Sequence, residues 1–163
     1  MRILIYGAGV IGSIFAGKLA ASGHDITMLA RGRRAEELRE HMLSLSVPGA
    51  GRTDTVWVNV TERLAPDDLY DYIIVAMQRT QVDEILPILA ENHSKNIVFV
   101  VNTAGGYDRW AQAVGSDRPM LGFPSVGGER IDGEVVYFIG KGNYNGKALH
   151  RRPGGAVVSA GRV

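Results

Sequence analysis

The feature that most narrows what this chain can become lies in its first 12 residues. Met1 to Tyr6 contains the apolar run Ile3-Leu4-Ile5, and Gly7-Ala8-Gly9-Val10-Ile11-Gly12 follows without a gap. A continuous apolar run suits a central parallel strand covered on both faces. After the glycines, Val10, Ile11, Ile14, Phe15, Leu19 and Ala20 recur at helical spacing, and Gly23 marks a stop before a second strand over residues 25–30. G-x-G-x-x-G between a strand and the helix it opens is the dinucleotide-binding fingerprint in its required context. Its glycines divide the work: Gly7 permits the tight turn, Gly9 lets a pyrophosphate approach the backbone, and Gly12 lets helix and strand pack closely. The helix N-terminus supplies amides and partial positive charge.

The rest of the chain continues the alternation. A short exposed helix is expected over residues 33–39 and a half-buried strand over 43–47, ended by Pro48-Gly49. Val56, Val58 and Val60 alternate with Thr55, Trp57 and Asn59, which predicts one strand across 53–61. Buried parallel strands are expected at 71–77 and 97–101, with a helix over 80–92 that Pro87 kinks or divides. A helix to Val114 capped by Asp108 and a strand over 118–123 follow. From Pro124 the glycine-rich pattern lacks a crossover helix, so a hairpin or sheet extension is expected. The fold class is α/β: a Rossmann-like, mostly parallel sheet with helices on both faces and a C-terminal strand extension. Residues 1–140 form the nucleotide-binding domain in this reading, and 141–163 an irregular basic tail.

Composition removes several alternatives. A chain of 163 residues is one domain's worth of protein and can bury enough surface to fold without disulfides or a structural metal. With no cysteine there are no thiolate metal sites or cysteine nucleophiles, and His24, His41, His93 and His150 are too dispersed for a zinc centre. The formal charge of +1 gives no global argument for nucleic acid or an anionic membrane, and no signal-peptide pattern or long apolar run is present. A soluble cytoplasmic protein is the expectation. The neutrality is composite, because the last 23 residues carry five basic groups and no acid while the first 140 carry 13 basic and 17 acidic groups.

The end of the second strand points to a particular dinucleotide. An NAD site places an acid there to hold the ribose 2′-hydroxyl, and this chain has Leu29-Ala30-Arg31-Gly32-Arg33-Arg34 instead. Asp25 begins the strand and stands at the wrong end. An arginine cluster at a helix start opposes the helix dipole unless an anion is bound. NADP is therefore the expected cofactor, with Arg31 the leading phosphate ligand and Arg33 and Arg34 behind it.

These residues carry a family likeness. Met1 to Ala16, Gly23 to Gly32, Asp71 to Met77 and the strand leading to Asn102 resemble the N-terminal domain of ketopantoate reductase, with the likeness running to about Ile139. The resemblance implies an NADPH-binding Rossmann domain followed by a helical domain, with hydride transfer to the ketone of ketopantoate in the cleft between them. It implies cofactor contacts along Met77-Gln78-Arg79-Thr80-Gln81, where Gln78 stands at the family's lysine and Gln81 matches its glutamine. Asn102 matches the family's asparagine near the nicotinamide ribose and is the one candidate for a part in the reaction. The helical domain, with its general-acid lysine and substrate-binding glutamate, is expected to be absent here, so a 2-oxo acid substrate is expected only with a second domain. The alternative is a non-catalytic dinucleotide-binding or self-association module, in which a homodimer covers the exposed interface. A nucleic-acid reader lacks a recognition element.

Overall fold

The structure is a computed structural model that describes residues 1–103 and 106–139. Six strands form one wholly parallel sheet in the order β5-β2-β1-β6-β7-β8. These are β1 (Arg2–Tyr6), β2 (Asp25–Leu29), β5 (Asn59–Thr61), β6 (Tyr72–Val75), β7 (Ile97–Val100) and β8 (Pro119–Gly122). The central strands β1, β6 and β7 are buried along almost their whole length, as their unbroken apolar runs require. The strand order reverses between β1 and β6, the switch point of a doubly wound sheet.

Helix α1 (Val10–Ala21) covers one face of this sheet, with Ile3, Ile5, Ile26, Met28, Ile74 and Val98 in that core, and α2 (Arg33–Glu40) adds Ala35 and Leu38 to it. On the opposite face α3 (Arg79–Glu91) and α4 (Asp108–Val114) bury Leu4, Tyr6, Ile73, Val75, Ile97 and Phe99. Helices therefore lie on both faces. Helix α3 runs through Pro87 as one element. The proline lies on the exposed side, where water can take the carbonyl it leaves unpaired. Arg118 ties the two helices together: its guanidinium donates to the carbonyls of Leu89 at 3.1 Å, Val114 at 2.8 Å and Ser94 at 3.0 Å, and to that of Asn92.

A second sheet, β4-β3-β10-β9, packs on the outer side of α1. It comprises β3 (Leu43–Ser46), β4 (Thr53–Val56) and the hairpin β9 (Val126–Ile131) with β10 (Glu134–Ile139). The expected hairpin forms around Asp132 and Gly133, both at positive φ (49° and 88°), the conformation a two-residue hairpin turn demands. It joins β3 in parallel through Leu45 opposite Val135. Helix α1 is thus covered on two sides, and Gly17 is what allows it: a Cβ there would run into the Leu45 side chain.

The strand expected across 53–61 is two strands. Val56 pairs with Leu43 in the small sheet, while Val60 pairs with Met28 at the edge of the large one, and the chain changes sheets at Trp57 and Val58. The alternation persists through the change because Val56, Val58 and Val60 all pack against the same core. The basic tail over 141–163 lies outside the described residues.

Candidate functional site

The loop from Gly7 to Gly12 joins β1 to α1 at the C-terminal edge of the large sheet. Gly7 has φ 118°, which a side chain rarely adopts, and a Cβ there would meet the carbonyl of Ala76. A Cβ on Gly12 would strike the carbonyl of Gly7 and stand 3.2 Å from Ile5 Cγ2. Gly9 differs, because a Cβ there would meet nothing within 4 Å. Two glycines are required by the protein's own packing and the third opens onto free space. Gly9 also caps α1 with no side-chain hydrogen bond to the first-turn amides, its carbonyl taking the Ser13 amide at 2.9 Å. Ala8, Val10 and Ile11 pack against the core and leave backbone groups to serve the loop.

Beside this loop, β2 ends in Ala30-Arg31, and Gly32 at φ 53° turns the chain into α2. Arg31 is exposed and, among the described residues, is held only by a 3.4 Å contact from its Nε to the Glu62 carbonyl. The side chain of Arg33 is 91% exposed and pairs with Glu37 at 2.9 Å. Arg34 turns inward, its Nη1 at 3.2 Å from the other Glu37 oxygen and its Nη2 at 3.4 Å from Ser13 Oγ. Burial holds the Arg34 guanidinium below its ordinary pKa. Glu37, expected only as an acid of a short exposed helix, is the counter-ion of both arginines, and its place four residues after Arg33 and three after Arg34 is the signal for that role. Asp25 lies at the opposite end of β2, accepting a 2.9 Å bond from Asn59 Nδ2.

On the other side of the loop, Met77 follows β6 half-buried. Gln78 and Gln81 form a reciprocal cap on α3, with the Gln78 amide donating to Gln81 Oε1 at 3.3 Å and the Gln78 side chain accepting the Gln81 amide. Both glutamines are exposed and both serve the helix end in this state. Asn102 lies two residues beyond β7, exposed. The hydroxyl of Tyr6, the last residue of β1, is buried without a hydrogen-bond partner among the described residues; burial pushes the phenol up, while the charge of Arg31 pulls it down.

The nominated residues thus gather at the C-terminal ends of four neighbouring strands, β2, β1, β6 and β7, which span about 14 Å at the usual strand spacing. A cavity of about 560 Å³ lies at the other edge of the sheet, where Arg118, Asn92, Lys95 and Asp117 line it. Its arginine is spent on the helix-end carbonyls. Among the described residues no cluster of three histidine, aspartate or glutamate side chains is arranged to hold a metal, and no helix is long and apolar enough to cross a membrane.

Comparison with known proteins agrees with this architecture. The chain is 28% identical over 154 residues to 2-dehydropantoate 2-reductase of Pyrococcus horikoshii, covering 91% of this chain and 46% of that protein. It is 28% identical over 155 residues to the enzyme of the same name from Mesorhizobium japonicum, covering 84% and 45%. The chain therefore spans about half the length of the curated relatives it matches. Among solved structures, 2-dehydropantoate 2-reductase from Geobacter metallireducens GS-15 superposes with a TM-score of 0.72 at 23% identity, over 84% of this chain and 46% of that one. A D-mandelate dehydrogenase solved as a ternary structure with NADH and anilino(oxo)acetate superposes at 0.71 with 21% identity, over 85% and 46%. These two likenesses establish the fold. The model of the family Ketopantoate reductase PanE/ApbA matches residues 3–149, and the chain belongs to that family as its N-terminal, dinucleotide-binding domain.

Proposed function

We propose that this domain binds NADP(H), with the pyrophosphate over Gly9 and the first turn of α1, the 2′-phosphate at Arg31, and the nicotinamide half extending toward Met77, Gln78, Gln81 and Asn102. The observation that carries the reading is Gly9, the one glycine of the motif whose missing side chain clears free space instead of accommodating the protein. The uncapped α1 terminus behind it offers amides and partial positive charge. Arg31, with one long contact to a carbonyl, keeps its donors for a phosphate. When bound, NADPH supplies the hydride; the residues of this domain orient it and set the charge around it. Within the whole enzyme the reaction is reduction of 2-dehydropantoate to pantoate, a step of pantothenate synthesis in the cytoplasm.

Titration with NADPH and NADH tests the binding claim. The wild-type protein is expected to prefer NADPH, and Arg31→Ala to lose about 1.5–3 kcal/mol of NADPH affinity, the worth of a hydrogen bond to a charged group, with NADH unaffected. Equal affinities for the two, or binding of neither, overturn it.

A second reading, self-association of this domain, is supported by Phe123, Phe138 and Ile139, which are 54%, 59% and 68% exposed. It predicts a dimer mass by sedimentation that reverts to monomer in Phe138→Ser; a monomer throughout removes it.

A further inference from the structure

Near the glycine loop, the half-buried charge left under-paired is that of Arg34. Its side chain is 14% exposed, its Nε is buried with no hydrogen-bond partner among the described residues, and its contacts there, at 3.2 and 3.4 Å, are long for a charged donor. Its carboxylate is shared, since Glu37 also takes the shorter bond from Arg33. A third cation bears on the same corner. Strand β9 packs against α1, and the charge of its Arg130 acts on Arg34, adding to burial in lowering that guanidinium's pKa. Arg130 has no ion pair among the described residues.

Three arginines and one carboxylate are therefore coupled at this corner, where Arg34 reaches Ser13 in the first turn of α1 and Arg33 holds Glu37 from the solvent side. Each neighbour of Arg34 except Glu37 and Ser13 raises the cost of keeping it charged. The excess of two positive charges matches a phosphate monoester, which carries about −1.5 to −2 near neutral pH. Neither Arg33, swung into solvent on a good ion pair, nor the α1 amides alone provide that match.

We propose that Arg34, assisted by Arg130, binds a phosphate monoester at the corner between α1 and α2, exchanging its weak contact with Ser13 for the phosphate oxygens, and that the monoester is the 2′-phosphate of NADP(H). The inference rests on the NADP reading above and deepens it. The phosphate is gripped from both sides of the β2 end, by Arg31 from one and by Arg34 and Arg130 from the other. The small sheet, through Arg130, thereby takes part in choosing the cofactor.

The test compares Arg34→Gln, Arg130→Gln and Arg33→Gln with the wild type by calorimetric titration of NADPH and NADH. Arg34→Gln and Arg130→Gln are each expected to weaken NADPH about tenfold or more and leave NADH unchanged, with Arg33→Gln costing less than either. If Arg34→Gln fails to fold, Arg130→Gln, an exposed position, carries the comparison. Thermal melting with inorganic phosphate alone separates the two claims. A wild type that shows no preference for NADPH but is stabilised by phosphate, with that stabilisation lost in both variants, upholds the anion site and removes the NADP reading. A wild type that prefers NADPH, with that preference and any stabilisation by phosphate unchanged in both variants, leaves the NADP reading standing and overturns the role of Arg34 and Arg130.

Discussion

Gly9 and Gly12 share one motif yet are expected to fail in opposite ways when given a methyl group. In Gly12→Ala the new carbon points into the Gly7 carbonyl and lies 3.2 Å from Ile5 Cγ2. The first obstacle is backbone, belonging to the loop that the motif itself positions, so relief requires α1 to lift from β1. Overpacking of this kind costs about 1–3 kcal/mol and sometimes more. The upper end applies to a buried site facing backbone, and the better helix propensity of alanine returns about 1 kcal/mol. A net loss of about 2 kcal/mol remains, which for a domain of this size lowers Tm on the order of 5–10 °C. In Gly9→Ala the new carbon touches nothing, and φ −75° with ψ −172° is open to any residue. Alanine caps a helix less well than glycine, by up to about 1 kcal/mol, and a stiffer unfolded chain returns about 0.4–1 kcal/mol. Stability should stay within about 0.5 kcal/mol of wild type. The methyl nevertheless occupies the approach to the α1 amides, and loss of one amide bond to a charged phosphate weakens NADPH binding about tenfold or more. Urea denaturation, read at constant slope, and NADPH titration measure the two quantities on the same preparations. A Gly9→Ala protein that loses as much stability as Gly12→Ala, or that keeps wild-type affinity for NADPH, would refute this division of roles.

Two further outcomes concern the frame behind the site. The Tyr70 phenol is pushed up to about 12 by burial and by its 2.7 Å hydrogen bond to Asp68. Its folded value lies above the unfolded value of about 10, so its contribution is whole below pH 10 and is lost as pH rises through 12. The stability advantage of wild type over Tyr70→Phe should therefore shrink as pH rises from about 10 toward 12, and denaturant midpoints showing a constant difference would refute this. Arg118→Met removes three bonds to carbonyls at the ends of α3 and α4 and a fourth to Ser94 and is expected to cost about 2–4 kcal/mol by urea denaturation. A loss below about 1 kcal/mol would mean that water replaces the guanidinium without penalty.

The large sheet was legible because burial on both faces writes itself as an unbroken apolar run. Ile3-Leu4-Ile5, Ile73-Ile74-Val75 and Ile97 to Val101 could hardly be anything else, and once parallel strands alternate with helices, the strand ends must share one edge. That is why Gly9 and Arg31, read from the sequence pattern, and Gln78 and Asn102, implied by the family resemblance, stand at the C-terminal ends of neighbouring strands. The small sheet left weaker traces. Its central pairing joins Leu45 to Val135 across 90 residues, and no local pattern specifies such a partner. The alternation of Val56, Val58 and Val60 concealed the change of sheet, since both sheets border one core and the residues facing it keep their period. One trace was present in α1, whose only charged residue is Lys18. A helix so poor in polar positions is covered on more than one side, and Gly17, outside the nucleotide motif, is the residue that admits the second cover.

The same distinction runs through the site. Backbone roles followed from spacing, because a glycine's function depends on where the chain must pass. Side-chain roles did not, because neighbours not yet known decide them. Gln78 and Gln81, three apart, fit both a cofactor shelf and a capping box, and in this state they cap. Arg33 and Arg34 are chemically identical and adjacent, so their sequence cannot rank them. Helical geometry sets them about 100° apart, which sends one into solvent and the other onto Ser13. The sequence therefore left both standing level behind Arg31, whereas the direction of the helix turn makes Arg34 the under-paired cation beside the glycine loop.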